Sequence, residues 1–222
     1  MKLKLVLPVL ALAAAGAAFW PAAGGAATFK GIVVAKQHGA LLVTSPSGVV
    51  RAVGGRAAVG SRVAVSGRTV TVVGHARTAL VRGIVVRRIG TTMFLSSNRH
   101  LLAIHSARRL AGTATSTPSQ PGTVVEAQVS VDNGDLQEQD EQEVGQANSS
   151  SIQVQATVSA VGAGTVTLNV QGQTLTVNLP GGLTLPASLV GQTVTISLSL
   201  DDNQGDDQSG DSSDGSGGGG DD

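Results

Sequence analysis

Cysteine and tyrosine are absent from the 222 residues, and the aromatic inventory is three Phe and one Trp. Without cysteine there is no disulfide, no thiolate metal site and no cysteine nucleophile. Phe19 and Trp20 lie in the first 27 residues, so Phe29 and Phe94 are the only aromatics beyond them. A core built from that remainder must rely on Val, Leu, Ile and Ala, a composition that favours strands over helices. Acid is missing from every position before Glu126, and base from every position after Arg109. The formal net charge of zero, from 15 basic and 15 acidic residues, therefore conceals two oppositely charged halves. Such asymmetry speaks to partners and solubility more than to fold.

Role-bearing chemistry is equally sparse. A serine triad needs a base and an orienting acid, and the half that carries all four histidines holds no acid. No G-x-S-x-G elbow occurs. The Gly54-Gly55 and Gly217–Gly220 stretches lack a strand–loop–helix setting for phosphate. Asp132-Asn133-Gly134-Asp135 has neither the spacing nor the closing Glu of a calcium loop. His100 and His105 are an odd number of residues apart and face opposite ways on a strand, while His38 and His75 adjoin turn glycines. The chain reads as a non-enzyme with no cofactor and no metal site.

The first 27 residues read as a signal peptide. Lys2 and Lys4 precede an apolar run from Leu5 to Trp20, and small residues follow from Pro21 to Ala27. Gly25 and Ala27 fit a small-x-small cut after Ala27, with Ala17 as a second candidate. The alternative is an uncleaved anchor, the only route by which this chain would hold a membrane; Leu5–Trp20 alone is short for a span of about 20 residues. Either way the expected location is secreted or extracytoplasmic, in the cell envelope.

Beyond it the chain carries a degenerate repeat. Gly31-Ile32-Val33-Val34 recurs as Gly83-Ile84-Val85-Val86 and loosely as Ala156-Thr157-Val158-Ser159. A second pattern follows each: Gly60, Val63 and Val65; Gly122, Val125 and Ala127; Gly191, Val194 and Ile196. Recurrence in the same order predicts three related modules. Strands are expected at Gly31–Lys36, Leu41–Ser45, Val49–Val53, Arg62–Ser66 and Thr69–Val73. In the third unit Val166, Leu168 and Val170, then Leu175, Val177 and Leu179, alternate with polar residues around a turn at Gly172. The expected class is all-β: two to three small antiparallel barrel-like modules and a disordered acidic tail. Residues 28–74 form the first, basic module and 80–131 the second, also basic, with a loop at 106–121. Residues 132–151 are expected to be an acidic linker, 152–200 the third module and 201–222 an Asp/Gly/Ser tail unable to bury anything. Helical turns are expected only near Pro186–Val190 and Ala107–Ala111.

The G-I-V-V blocks and Val59-Gly60-Ser61-Arg62-Val63-Ala64-Val65, with the Asp/Gly/Ser tail, resemble an uncharacterised family of OB-like small β-barrel domains in exported bacterial proteins. The resemblance is best over 152–200, fair over 29–74 and poor over 80–131. It implies an exported small barrel and supplies no catalytic residues.

Thirteen Lys or Arg residues lie between Thr28 and Gly112 with no acid among them. Lys30, Lys36, Arg51, Arg62, Arg68, Arg82, Arg87 and Arg88 are the candidate anion-binding set, since many fall at strand ends and turns. The partners expected are an anionic envelope polymer or lipid headgroup; a purely structural or spacer role is the alternative. Nucleic acid fits poorly, because single-strand binders stack bases on aromatic side chains and only Phe94 lies within a strand body.

Overall fold

The computed structural model describes residues 28–106, 119–132, 134–179 and 183–200. The expected signal peptide at 1–27, most of the expected 106–121 loop with the expected turn near Ala107, and the expected acidic tail at 201–222 lie outside the described residues. Among the described residues, Val and Thr runs broken by glycine give 14 strands and one short 3-10 turn at Ala187–Leu189, where a turn near Pro186 was expected.

The first module comprises β1 (Thr28–Gln37), β2 (Ala40–Thr44), β3 (Val50–Gly54), β4 (Ser61–Ser66) and β5 (Thr69–His75). These match the five expected strands within a few residues. They form one sheet in the order β3-β2-β1-β4-β5. The second module comprises β6 (Thr78–Ile89), β7 (Thr92–Ser97), β8 (His100–Ser106), β9 (Thr123–Asp132) and β10 (Asp135–Gln146). It repeats the order as β10-β9-β6-β7-β8, and β10 also pairs with β8, so its ladders run in a ring. The third module has β11 (Ser151–Gly162), β12 (Thr165–Val170), β13 (Gln173–Asn178) and β14 (Thr193–Ser199), with β14 beside β11.

Two expectations need correction. Residues 132–151 are not a linker: 12 of them form β10, paired along β9 from Asp135↔Asp132 to Gln146↔Thr123. Their acidic, Gln-rich composition hid a strand whose inward Leu136 is buried and whose inward carboxylates find a cation. The signal available was Asn133-Gly134, a dipeptide favoured in two-residue hairpin turns. The modules are also not wholly antiparallel, because β10 and β11 each run parallel to β8.

The repeat seen in the sequence is a repeat in register. Gly31 pairs with Val63, Gly83 with Val125 and Ala156 with Val194, joining the two patterns of each module. Each lead strand then bulges two to three residues on: between Val33 and Ala35, Val85 and Arg87, and Val158 and Ala160. A bulge bends a strand, which lets one long strand serve two neighbours in different directions. Glycine suits the crossover because a Cβ at Gly31 would lie 2.3 Å from the Thr44 carbonyl oxygen, and one at Gly83 2.5 Å from that of Ser96.

Modules of this size bury modest cores alone, and here they share them. Val34, Ala35, Leu42 and Val50 of the first module join the interior of the second. Phe94, Leu101 and Ala103 on the other side of β7 and β8 join the core of the third. Those two strands are consequently buried on both sides, and Phe94 is only 1% exposed.

Candidate anion-binding surface

The eight candidate cations separate into two groups once their strands are placed. Arg82 on β6 lies across from Glu126 on β9, and the two form an exposed ion pair at 3.4 Å. Arg88 is more deeply committed. Its guanidinium pairs with Glu141 and lies 3.9 Å from Glu138, both carboxylate side chains being 9% exposed. It also donates from Nε to the Ser119 carbonyl and from Nη1 to Ser106 Oγ, each at 3.3 Å. Ser106 in turn donates to Glu138 Oε2 at 2.6 Å. Arg87 donates to the Thr176 carbonyl of the third module at 3.1 Å. Sequence alone places these three arginines on the anion-binding surface; the structure gives each an internal partner, two of them carboxylates of the strand pair β9–β10.

The other five belong to the first module and form no ion pair among the described residues. Lys30 and Arg62 lie on adjacent strands, with Ile32 paired to Arg62 and Lys30 to Ala64. Both line a cleft of about 730 Å³ between the first two modules. Glu126 and Asp140 of the second module also line it, beyond ion-pairing distance of these cations, so its walls carry opposite charge. Arg51 on β3 sits over the Phe29 ring, 5.3 Å from its centroid, a cation–π placement. Lys36 lies near the end of β1 and Arg68 in the β4–β5 turn, both exposed. The structure therefore brings Lys30 and Arg62 together and leaves Lys36, Arg51 and Arg68 on separate elements. Arg56 and Arg77 are exposed as well, while Arg108 and Arg109 lie outside the described residues.

Charge is thus partitioned by module. The first carries cations and no acid; the second holds arginines beside its own carboxylates; residues 144–200, which include the whole third module, contain no Lys, Arg, Asp or Glu. Among the described residues the aromatic side chains offer no stacking platform, since Phe94 is buried between modules and Phe29 is covered by Arg51.

A second polar cluster, unforeseen in the sequence, lies where all three modules meet. His38 in the β1–β2 turn is within hydrogen-bond distance of Thr193 Oγ1 at 2.7 Å and Thr157 Oγ1 at 3.3 Å, both of the third module. The neighbouring Gln37 donates to the Leu101 carbonyl of β8 at 2.6 Å. His100, beginning β8, pairs with Gln155 of β11. Burial, and secondarily the nearby His38, holds the His100 imidazole below its usual pKa. His105, at the far end of β8, contacts Thr92 instead, at 3.2 Å. Among the described residues there is no group of three His, Asp or Glu side chains placed to hold a metal ion, and no helix long and apolar enough to cross a membrane.

No protein family and no characterised protein sequence matches the chain. Among solved structures it is similar to a multidomain protein with nucleic acid binding domains from Streptococcus pneumoniae TIGR4, at 12% identity and a TM-score of 0.22. That match covers 77% of this chain and 67% of the other. So low a TM-score carries no argument about fold or function.

Proposed function

We propose that the chain is an exported, non-enzymatic β-module protein of the cell envelope that holds anionic polymers or lipid headgroups through its first module. The observation that supports this most is the partition of charge. Arg82 and Arg88 are neutralised by Glu126, Glu138 and Glu141, whereas Lys30, Lys36, Arg51, Arg62 and Arg68 have no carboxylate partner among the described residues. Cations near an anionic surface contribute about 1 kcal/mol each, provided salt does not screen them. We read the modules as OB-like small barrels, a reading supported by the shared strand order, the bulged lead strand and the ring of ladders in the second module. Export rests on the basic and apolar pattern of residues 1–27 alone.

Retention of the chain on immobilised polyphosphate and on phosphatidylglycerol vesicles, followed against salt, tests the reading. Neutralising Lys30, Lys36, Arg51, Arg62 and Arg68 together to Gln should abolish retention at physiological salt, and Arg82→Gln should leave it intact. Equal retention of all three proteins would move anion binding off the first module, and no retention of any would leave only a structural or spacer role.

A further inference from the structure

The first two modules differ in one respect that their common strand order makes conspicuous. In the second, β10 lies parallel to β8 through Leu136↔Ile104, Gln137↔His105 and Glu138↔Ser106, and so closes the ring. The corresponding strands of the first, β3 and β5, share no ladder; β5 is paired only with β4. The consequence appears in its side chains. Val72 is paired with Val63, which is fully buried, so the two point to the same side of the sheet. Yet Val72 is 47% exposed and the adjacent Val73 is 57% exposed. β3 approaches β5 without a ladder, Gly55 lies against Val70 near the start of β5, and the Ala76 amide just beyond its end donates to the Gly60 carbonyl at 2.8 Å, so the uncovered stretch is centred on Val72 and Val73.

An unpaired strand edge with uncovered apolar side chains is a template for an added strand. Natural edges are commonly guarded by charges or proline, and Thr69–His75 contains no Lys, Arg, Asp, Glu or Pro. The surrounding charge selects the occupant. Arg68 immediately precedes β5, Arg62 is paired with Gly74, Arg51 lies on β3 and Arg56 follows it. A second copy of the chain would bring like charges together, whereas an acidic segment is complementary. The second module shows that an acidic strand can lie beside such cations: β10, the counterpart of β5, carries Asp135, Glu138, Asp140, Glu141 and Glu143, two of which meet Arg88.

We propose that the unpaired edge of β5 around Val72 and Val73 is a docking site for an extended, acidic segment of a partner polypeptide, laid beside β5 as an added strand. This goes beyond retention of polyanions, because it requires backbone hydrogen bonds that a polyphosphate or a lipid headgroup does not make.

The probe is a synthetic peptide with the sequence of Asp135–Gln146, titrated onto the full chain beside a copy N-methylated at alternate residues. The unmodified peptide should bind, slow amide exchange across Val70–His75, and lose roughly tenfold or more in affinity on N-methylation through its missing donors. Val72→Asp should weaken it by a similar factor and Val72→Thr should not, with both variants melting as the parent does and both retaining polyphosphate binding. Absence of binding, equal affinity of the two peptides, or protection confined to β8 and β9 would overturn the proposal while leaving polyanion retention standing. Dimerisation of the chain through β5 without peptide would overturn it in favour of a second copy. Weakened polyphosphate retention in a Lys30→Gln/Lys36→Gln variant, with the peptide still protecting β5, would separate the two readings from the other side.

Discussion

The Gly60 amide donates to the Val33 carbonyl at 2.8 Å, linking the turn before β4 to the residue just ahead of the bulge in β1. Gly122 makes the same bond to Val85, and Gly191 to Val158, both also at 2.8 Å. All three glycines have φ between +82° and +89°, a region costly for residues with a Cβ. One bond of each module thus ties together the two sequence patterns that define the repeat.

Substituting Gly122 by Ala should destabilise the protein by about 1–2 kcal/mol, the cost of holding an L side chain at positive φ. Its Cβ would find space, with no atom nearer than Leu200 at 3.8 Å, so the penalty is conformational. Gly83→Ala should cost more, about 1–3 kcal/mol or beyond, because its Cβ would collide with the Ser96 backbone at 2.5 Å and with Leu95 at 2.8 Å. Urea unfolding of the two variants beside the parent checks the order.

Arg88 and Arg82 make a matched contrast. Removing Arg88 strands Glu138 and Glu141 at 9% exposure, a loss of about 3 kcal/mol by comparison with broken buried pairs. The pair Arg82–Glu126 is 47% and 30% exposed, so Arg82→Gln should change stability by less than about 1 kcal/mol. Thermal melts of Arg88→Met and Arg82→Gln should therefore separate clearly; similar melts would show that the Arg88 network contributes little.

Phe94 should couple the second and third modules. Among the described residues it is the largest fully buried side chain, and it packs with Leu168 and Leu175 of the third module in one core. Phe94→Ala should cost about 3–5 kcal/mol. Because both modules share that core, hydrogen exchange should accelerate across β11 and β12 as well as β7 and β8.

Acidification should loosen the three-module junction through His100. Its folded-state pKa lies below 6.5, so between that value and 6.5 the unfolded chain binds more protons than the folded one. The stabilising preference for neutral imidazole is fully present above pH 6.5 and declines as pH falls below it. Stability measured from pH 7.5 downward should drop in the parent and stay flatter in His100→Gln. An identical slope in both would assign the effect elsewhere.

Alternation and glycine punctuation made most strands readable in advance. Val166, Leu168 and Val170 face the core as their period of two requires, and all five strands of the first module fall where Gly and Pro break the apolar runs. The paired patterns around Gly31 and Gly60 were legible as a repeat because the register that joins them demands the same residue types three times. β10 was not legible. Its inward positions alternate Leu136 with carboxylates, which only a cation from a strand some 50 residues earlier makes tolerable. Lys30 and Arg62 are candidate anion-binding cations by sequence, but nothing local shows that they line one cleft whose opposing wall bears Glu126 and Asp140.

Local chemistry by itself settled most of the strand-forming segments, the absence of thiol chemistry and the inventory of charge along the chain, since each depends on residue type and near-neighbour spacing. Which arginines are neutralised, whether both faces of β7 and β8 are covered, and which strand edge stays open depended on long-range pairing. Those outcomes follow from where distant strands come to rest, and no window of consecutive residues contains that information.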